Sequence, residues 1–201
     1  MALDEASRRE KLGSLRARII EEVYVQGWQD VWFFVEDKEL GVKGWQGTQD
    51  IMFVGTNPST GRGSEKLLKN LRSDPLFGVY YPQLQKNGFE NAHLTDLIKI
   101  RATNEEKARL LGNDAVTKQH VGYLLEEIEI VEPRLIVALG WECLGLVKDC
   151  LAPEVRARLR RIRHYSPLYR KKDDAEKFAE EMRGVRAEYD SLPRVPQART
   201  R

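Results

Sequence analysis

The sequence predicts a single domain of the three-layer α/β/α class, with helices on both faces of a mainly parallel central sheet. Short apolar segments alternate with segments of helical periodicity along most of the 201 residues, as in consecutive strand-helix units. One apolar segment, residues 132–140, is of the kind found in the middle of a parallel sheet. A chain of this length can bury one substantial hydrophobic core.

The first 50 residues are predicted to form a helix and an aromatic segment that pack on the core. Apolar residues recur at helical spacing over residues 4–26, and Gly27 ends this helix. An aromatic segment and a glycine-rich loop then lead to the first strand. We expect residues 51–190 to form the α/β/α core and residues 191–201 to form a loose tail.

The elements of the core follow from the periodicity of the apolar residues. In chain order we predict a strand at 51–54, a helix at 64–72, a strand at 92–103, helices at 104–111 and 115–131, a strand at 132–140, a helix at 141–151, a strand at 162–166 and a helix at 172–189.

Composition indicates a globular cytoplasmic protein. The chain is 41% hydrophobic and 32% charged, and no apolar run approaches the length of a membrane span. Its first residues lack the apolar segment of a signal peptide, so we expect neither secretion nor a membrane partner. Cys143 and Cys150, the only cysteines, lie two turns apart on one predicted helix. This spacing favours buried structural thiols over a disulfide, and two thiols alone cannot form a four-cysteine zinc or iron-sulfur site.

Positive charge is concentrated in one stretch. The net charge is only +2, but residues 156–172 contain eight Lys or Arg and no Asp or Glu. Such a cluster is typical of a phosphate-binding surface, although an arginine-rich solvated helix has the same composition.

The turn after the first strand is the candidate active-site loop. Gly55 permits close approach of a ligand, and Pro58 biases Asn57 toward an extended conformation. The Asn57 amide, which can both donate and accept, is thereby held in a defined orientation. Open α/β sheets bind ligands at the carboxyl ends of their strands, where this turn is expected. An ordinary Asn-Pro turn is the alternative interpretation.

Two further segments carry candidate residues. Asp96 lies among apolar residues, where a carboxylate is costly unless it meets a donor, so we predict that it faces a cleft. Capping of a nearby turn is the alternative. Phe77 lies close to Tyr80 and Tyr81 in a segment with Gly and Pro, and these rings could pack on a flat ligand or simply anchor their loop.

Three motifs together resemble the uracil-DNA glycosylase superfamily. They are GTNPS at residues 55–59, LTDLIKIR at 94–101 and HYSPLYRKK at 164–172. Members carry Asn or Asp before Pro in a first motif, a polar base-reading residue on a middle strand, and a late motif beginning His-Pro-Ser-Pro-Leu or a variant. The resemblance spans residues 51–172 and implies an enzyme that flips a deaminated base, with uracil expected, out of DNA and hydrolyses its N-glycosidic bond without a metal or cofactor.

The resemblance assigns roles by position. Asn57 would position the attacking water, and His164 would donate a hydrogen bond to the base carbonyl. The base pocket would contain Gly55, Thr56, Phe77 and Asp96. Leu168 would fill the space that the flipped base leaves, and the DNA would be contacted by Ser59, Ser166, Pro167, Leu168, Arg170, Lys171 and Lys172.

Two positions depart from the superfamily pattern. Tyr165 stands where Pro is usual. Asp96 stands where many members have an Asn, which reads uracil as both donor and acceptor. A carboxylate accepts from uracil N3–H but repels O4 unless it is protonated. The base is therefore either uracil or one that presents an exocyclic amine or several N–H groups. The four cysteines of the iron-sulfur branch are absent.

The leading hypothesis is a monofunctional, monomeric DNA glycosylase of base-excision repair that acts on single- or double-stranded DNA. Asp96 and Tyr165 motivate an alternative, a non-catalytic nucleic-acid-binding protein that retains the fold. An enzyme acting on a free nucleotide is a third hypothesis, in which Leu168 and the cationic stretch have no role. For His164 alone, a local hydrogen bond at the end of a strand is the alternative to catalysis.

Overall fold

A computed structural model describes residues 3–25, 31–58, 76–165 and 172–193. Within these residues the centre is a sheet of four parallel strands in the spatial order β2-β1-β3-β4. The strands are β1 (Gln49–Gly55), β2 (Ala92–Asp96), β3 (Leu135–Leu139) and β4 (Leu159–Ile162).

Helices cover both faces of the sheet. The described residues contain α1 (Glu5–Val25), α2 (Tyr81–Lys86), α3 (Asn104–Leu111), α4 (Asp114–Val131), α5 (Trp141–Cys150), α6 (Pro153–Arg156) and α7 (Lys172–Ser191). Residues of α1, α3, α4 and α5 share a core with one face of the sheet, which we call the α4 face. Residues of α2 and α7 share a core with the other, which we call the α7 face. The predicted three-layer α/β/α class with a parallel sheet is confirmed.

The continuous apolar runs of the inner strands follow from burial on two faces. Met52 and Val54 of β1 belong to the α4-face core, whereas Ile51 and Phe53 belong to the α7-face core. All four are fully buried. A strand covered on both sides has no solvent-facing positions, so its sequence does not alternate.

Two predicted strands have different bounds in the structure. The strand predicted at 92–103 ends at Asp96, because the backbone N–H groups of Leu97 and Ile98 turn over the end of β1 and donate to the carbonyls of Gly55 and Thr56 (2.8 and 2.9 Å). Farther along, Thr103 caps α3. The strand predicted at 162–166 lies earlier, at Leu159–Ile162, where arginines obscure the apolar pattern but suit an edge strand.

The amino-terminal helix packs on the α4 face. Leu12, Leu15 and Ile19 are buried, and the Trp45 indole N–H donates to the Leu12 carbonyl (3.2 Å). At the other end of the chain, the Arg134 guanidinium donates to the Leu192 carbonyl (2.8 Å) and holds the start of the predicted tail. The predicted helix at 64–72 and residues 194–201 lie outside the described residues.

The two cysteines both lie on α5. Cys143 is buried as predicted, whereas Cys150 is only half-buried because it lies in the last turn of α5. In the described ranges, no helix combines the length and the apolar character needed to cross a membrane.

Candidate functional site

The strand order defines a switch point between β1 and β3. From β1 the chain passes to β2 on one side, with α2 on the α7 face, and from β3 it passes to β4 on the other side, with α5 on the α4 face. Connections that diverge in this way leave a crevice at the carboxyl edge of the sheet, where open α/β folds bind ligands. The predicted residues Gly55, Asn57, Asp96 and His164 all lie at this edge.

Asn57 is locked by the backbone around it. Its Nδ2 donates to the carbonyl of Pro58 (3.0 Å) and to that of Ala102 (3.3 Å). Both amide hydrogens are therefore engaged, and the side-chain oxygen points the opposite way as an acceptor. Across the described residues, no group donates to that oxygen. The arrangement suits an acceptor that holds a water molecule.

Thr56 is buried at the end of β1, beside Cys143 of α5. Thr56 contributes to the electrostatic surroundings of the Cys143 thiol, and that thiol donates to the Val54 carbonyl (3.1 Å). Burial raises the pKa of Cys143 to about 12, so the thiol is not a nucleophile near neutral pH. These contacts attach the first turn of α5 to the end of β1.

Gly55 of β1 and Asp96 of β2 lie side by side at the ends of their strands. They are direct partners in the parallel register. A Cβ atom on Gly55 would lie only 2.1 Å from Asp96 Oδ1, so the carboxyl group occupies the space that any other side chain would need. Glycine at position 55 is thus required by the side chain at position 96.

Asp96 is a buried carboxyl group with unusual electrostatics. It is 6% exposed, and within the described ranges no group donates a hydrogen bond to its carboxylate. Burial raises its pKa to about 7, with Glu127 contributing to the rise and Lys99 opposing it. The Lys99 ammonium binds the backbone carbonyl of Asp96 rather than its side chain. Near neutral pH, Asp96 therefore exists both as a neutral acid and as a carboxylate.

Tyr80 adds a second buried polar group on the α7 face. It ends a π-helical turn, Leu76–Tyr80, and its fully buried hydroxyl has no hydrogen-bond partner in the part of the chain that the structure describes. Burial raises its pKa, and the charge of Asp96 contributes to that rise, which indicates that the two groups are close. The neighbouring Tyr81 hydroxyl, in contrast, donates to the Val35 carbonyl (2.7 Å).

Phe77 is half-buried, and its ring packs edge-on against Tyr81, with the centroids 5.2 Å apart. The hypothesis that Phe77 stacks on a ligand stays a prediction, since this contact also fits an aromatic residue that anchors its own loop.

His164 stands in a column of stacked rings. Its ring stacks on Tyr165 (centroids 4.6 Å apart), and Tyr165 stacks on Tyr80 (4.7 Å, planes 3° apart). Tyr165, which departs from the superfamily pattern, thus joins the histidine to the buried tyrosine. Burial lowers the pKa of His164 to about 4, so the imidazole is neutral at physiological pH. A neutral imidazole has one N–H donor and one acceptor nitrogen.

Most of the predicted DNA contacts lie outside the described residues: Ser59, Ser166, Pro167, Leu168, Arg170 and Lys171. Lys172 begins α7. Upstream, two arginines of the basic stretch are already paired with carboxylates of α7. Arg160 binds Glu188 (2.6 Å), and Arg163 binds Glu181 (3.3 Å) and Asp174 (3.4 Å). These ion pairs reduce the positive charge that Arg160 and Arg163 could offer to a phosphate, and the interpretation of the stretch as a phosphate-binding surface stays a prediction.

The structure also contains a buried ionic cluster that the sequence analysis missed. Lys99 Nζ lies 2.6 Å from Glu127 Oε1 and donates to Thr95 Oγ1 (2.6 Å), while His93 Nε2 lies 3.0 Å from Glu127 Oε2. The cluster lies between β2 and α4, on the face opposite Asp96. Alternation along the predicted strand puts His93 and Lys99 on one face, but nothing in that pattern identifies Glu127 as their partner.

A groove between α1 and α4 is a separate concavity of about 910 Å³, lined by Lys11, Leu15, Arg18, Leu125 and Glu126 among others. Its principal charges are already paired, since Arg18 binds both Glu126 and Glu22. At the carboxyl edge of the sheet, by contrast, the buried Tyr80 hydroxyl has no hydrogen-bond partner among the described residues, and four predicted site residues lie there, which makes that edge the better candidate site. In the described residues, no three His, Cys, Asp or Glu side chains converge in a way that could hold a metal ion.

The chain was compared with protein-family models and with curated proteins, and neither comparison gave a match. The resemblance to the uracil-DNA glycosylase superfamily therefore rests on the three motifs and stays a prediction.

Proposed function

We propose that this chain is a DNA glycosylase that binds a deaminated base, with uracil expected, flipped out of DNA and hydrolyses the bond between that base and the deoxyribose. The observation that carries the proposal is the pair formed by the Asp96 carboxyl group and the Tyr80 hydroxyl group. Both are buried; among the described residues the Tyr80 hydroxyl has no hydrogen-bond partner, and no group donates to the Asp96 carboxylate. Buried polar groups are nearly always paired in folded proteins, and the polar edge of a flat base would supply the missing partners.

The protonation state of Asp96 removes the main objection to uracil. Below its pKa of about 7 the neutral acid has one O–H donor and a carbonyl acceptor, the same pair of functions as an Asn amide. It can donate to uracil O4 and accept from N3–H. Above that pKa the carboxylate only accepts, and it would repel O4. A base with an exocyclic amine would then fit better.

The hydrolytic step uses Asn57 and His164. Asn57 Oδ1 would hold a water molecule toward C1′ of the deoxyribose. The bond between C1′ and the base nitrogen breaks with its electron pair going to the base, while the water oxygen bonds to C1′ and loses a proton to solvent. The neutral imidazole of His164 would donate a hydrogen bond to the base oxygen as negative charge develops there. A donor of this kind typically contributes about 10²- to 10³-fold in rate.

The experiment is base release from labelled oligonucleotides that contain uracil, hypoxanthine or xanthine, single- and double-stranded, with alkali used to cut abasic sites. We expect Asn57→Ala and His164→Ala to slow release by about 100-fold or more while DNA binding is retained. Asn87→Ala is the matched control, because Asn87 follows α2 before the amino end of β2 and should not affect release. Wild-type rates in both site variants would contradict the roles proposed for Asn57 and His164. If the wild type released no base from any oligonucleotide, the proposed glycosylase activity would be contradicted.

A non-catalytic nucleic-acid-binding protein is the second candidate. It is favoured by the aromatic column, because a His164 ring packed face to face on Tyr165 has a structural role without any chemistry. This alternative predicts DNA binding that weakens steeply with salt and yields no abasic product.

A further inference from the structure

Trp141 is an exposed tryptophan at the rim of the candidate site. It is the first residue of α5 and is 72% exposed. The other large apolar side chains that are exposed in the described residues, Ile20, Val35 and Leu125, reach only 37% to 43%. An indole with most of its surface in water is unusual and marks a candidate contact surface.

Arg161 covers one face of this indole. Its guanidinium carbon lies 4.2 Å from the ring centroid, in the geometry of a cation–π contact. Arg161 lies on β4 and reaches α5 across the α4 face. Unlike Arg160 and Arg163, it forms no ion pair with any carboxylate among the described residues. The nearest acid in sequence to Trp141, Glu142, is paired with Lys107 at 2.7 Å. The Trp141 ring and the Arg161 guanidinium, which has no carboxylate partner among the described residues, therefore lie side by side on the surface.

The position of the pair connects it to the site. Trp141 directly follows Gly140, whose φ of 92° starts α5 with a sharp turn at the end of β3. A Cβ atom on Gly140 would lie 3.5 Å from His164 Cβ, so Gly140 and His164 are in contact. Since consecutive Cα atoms are about 3.8 Å apart, the backbone of Trp141 lies close to that of the histidine proposed to contact the flipped base.

We propose that Trp141 and Arg161 form a stacking site for one unpaired nucleobase that neighbours the flipped base in single-stranded DNA. This inference rests on the proposed function. The base stacks on the open face of the indole, and Arg161 binds the adjoining phosphate. Stacking on an aromatic side chain tolerates every base, because each base has a π-face. In a duplex the neighbouring bases are already stacked and paired, so the site favours single strands.

The test is fluorescence anisotropy with labelled oligonucleotides of unmodified bases, single-stranded and duplex, so that binding is measured without any cleavage. We expect Trp141→Ala to weaken single-strand binding by about 5- to 100-fold and duplex binding much less, while Trp141→Tyr retains most of the affinity. We expect Arg161→Gln to lower the slope of log K against log salt by about 0.7 on single strands. Arg160→Gln is the matched control on the same strand, and its slope should equal that of the wild type because Arg160 is paired with Glu188.

Three results would overturn the stacking site: no single-strand binding by the wild type, unchanged single-strand binding in Trp141→Ala, or equal weakening on single strands and duplexes. The base-release assay separates this inference from the proposed function. Release by the wild type with unchanged binding in Trp141→Ala rejects the stacking site alone. Weaker binding in Trp141→Ala without any release by the wild type rejects the glycosylase and leaves the stacking site supported.

Discussion

Two buried carboxyl groups on opposite faces of the sheet have opposite surroundings. Glu127, on the α4 face, is fully buried between His93 and Lys99, and these partners lower its pKa. Asp96, on the α7 face, is almost as buried but receives no hydrogen bond to its carboxylate from any described residue, and its pKa rises to about 7. Both groups adjoin the same short strand, so the difference lies in their partners and not in their depth.

The two carboxyl groups differ in how the cost of their burial is offset. Desolvation of a charge is expensive, and folded proteins normally offset it with a partner, as Lys99 does for Glu127. Among the residues that the structure describes, Asp96 has no such partner, and it lies at the edge where a ligand is expected. A carboxyl group with a perturbed pKa in a cleft is a candidate functional residue. Glu127 thus has the surroundings of a structural group, whereas the surroundings of Asp96 fit the role that we propose for it.

The largest effect on stability should come from breaking the buried ion pair between Lys99 and Glu127. We expect Lys99→Met to lower the free energy of unfolding by about 3 to 5 kcal/mol, measured by urea denaturation, because it leaves Glu127 charged and buried with His93 alone. Lys43→Met is the matched control, since it breaks an exposed pair with Glu36 and should cost less than about 1 kcal/mol. Equal effects of the two substitutions would show that the buried pair has no special role.

A smaller effect is expected in the pH dependence of the free energy of unfolding, to which the two carboxyl groups contribute in opposite directions. The folded-state pKa of Asp96, about 7, exceeds its ordinary value of 3.8, so folding favours the protonated form. Its contribution to stability is complete below pH 3.8 and is lost as the pH rises to about 7. The pKa of Glu127 is lowered, so its contribution is lost in the opposite direction, as the pH falls.

Replacing Asp96 with Asn removes this titration and keeps the shape of the side chain. We expect the stability of Asp96→Asn, relative to the wild type, to increase by about 3 kcal/mol between pH 5 and pH 8. Urea denaturation of both proteins at the two pH values measures this difference. A difference that does not change with pH would mean that Asp96 has an ordinary pKa in the folded protein.

Periodicity was enough to predict the fold class, because burial on two faces leaves a continuous apolar run at β1 and β3. It was not enough to predict where β2 and β4 lie. Residues 97–100 are buried although they have left the sheet, so their apolar character imitates a longer strand. The arginines of β4 hide an edge strand that is apolar only at Leu159 and Ile162.

For the candidate site, the sequence was enough to predict features that depend on neighbouring residues in the chain. It was not enough to predict features that depend on tertiary contacts. The Asn57-Pro58 turn and the position of Asp96 at a strand end are local features, and the structure has both at the carboxyl edge. The burial of the Tyr80 hydroxyl, the stacking of Tyr165 and the dependence of Gly55 on Asp96 require knowledge of which segments meet. Spacing along the chain does not contain that information.

In the glycosylase that we propose, the proton on Asp96 determines which base the site accepts, so the rate of uracil release should depend on pH. Release from a uracil oligonucleotide should be followed from pH 5.5 to 8.5 in the wild type and in Asp96→Asn. We expect the ratio of wild-type to Asp96→Asn rates to fall by about tenfold for each pH unit above 7, since only the protonated acid can donate to uracil O4. A ratio that stays constant across this range would contradict the claim.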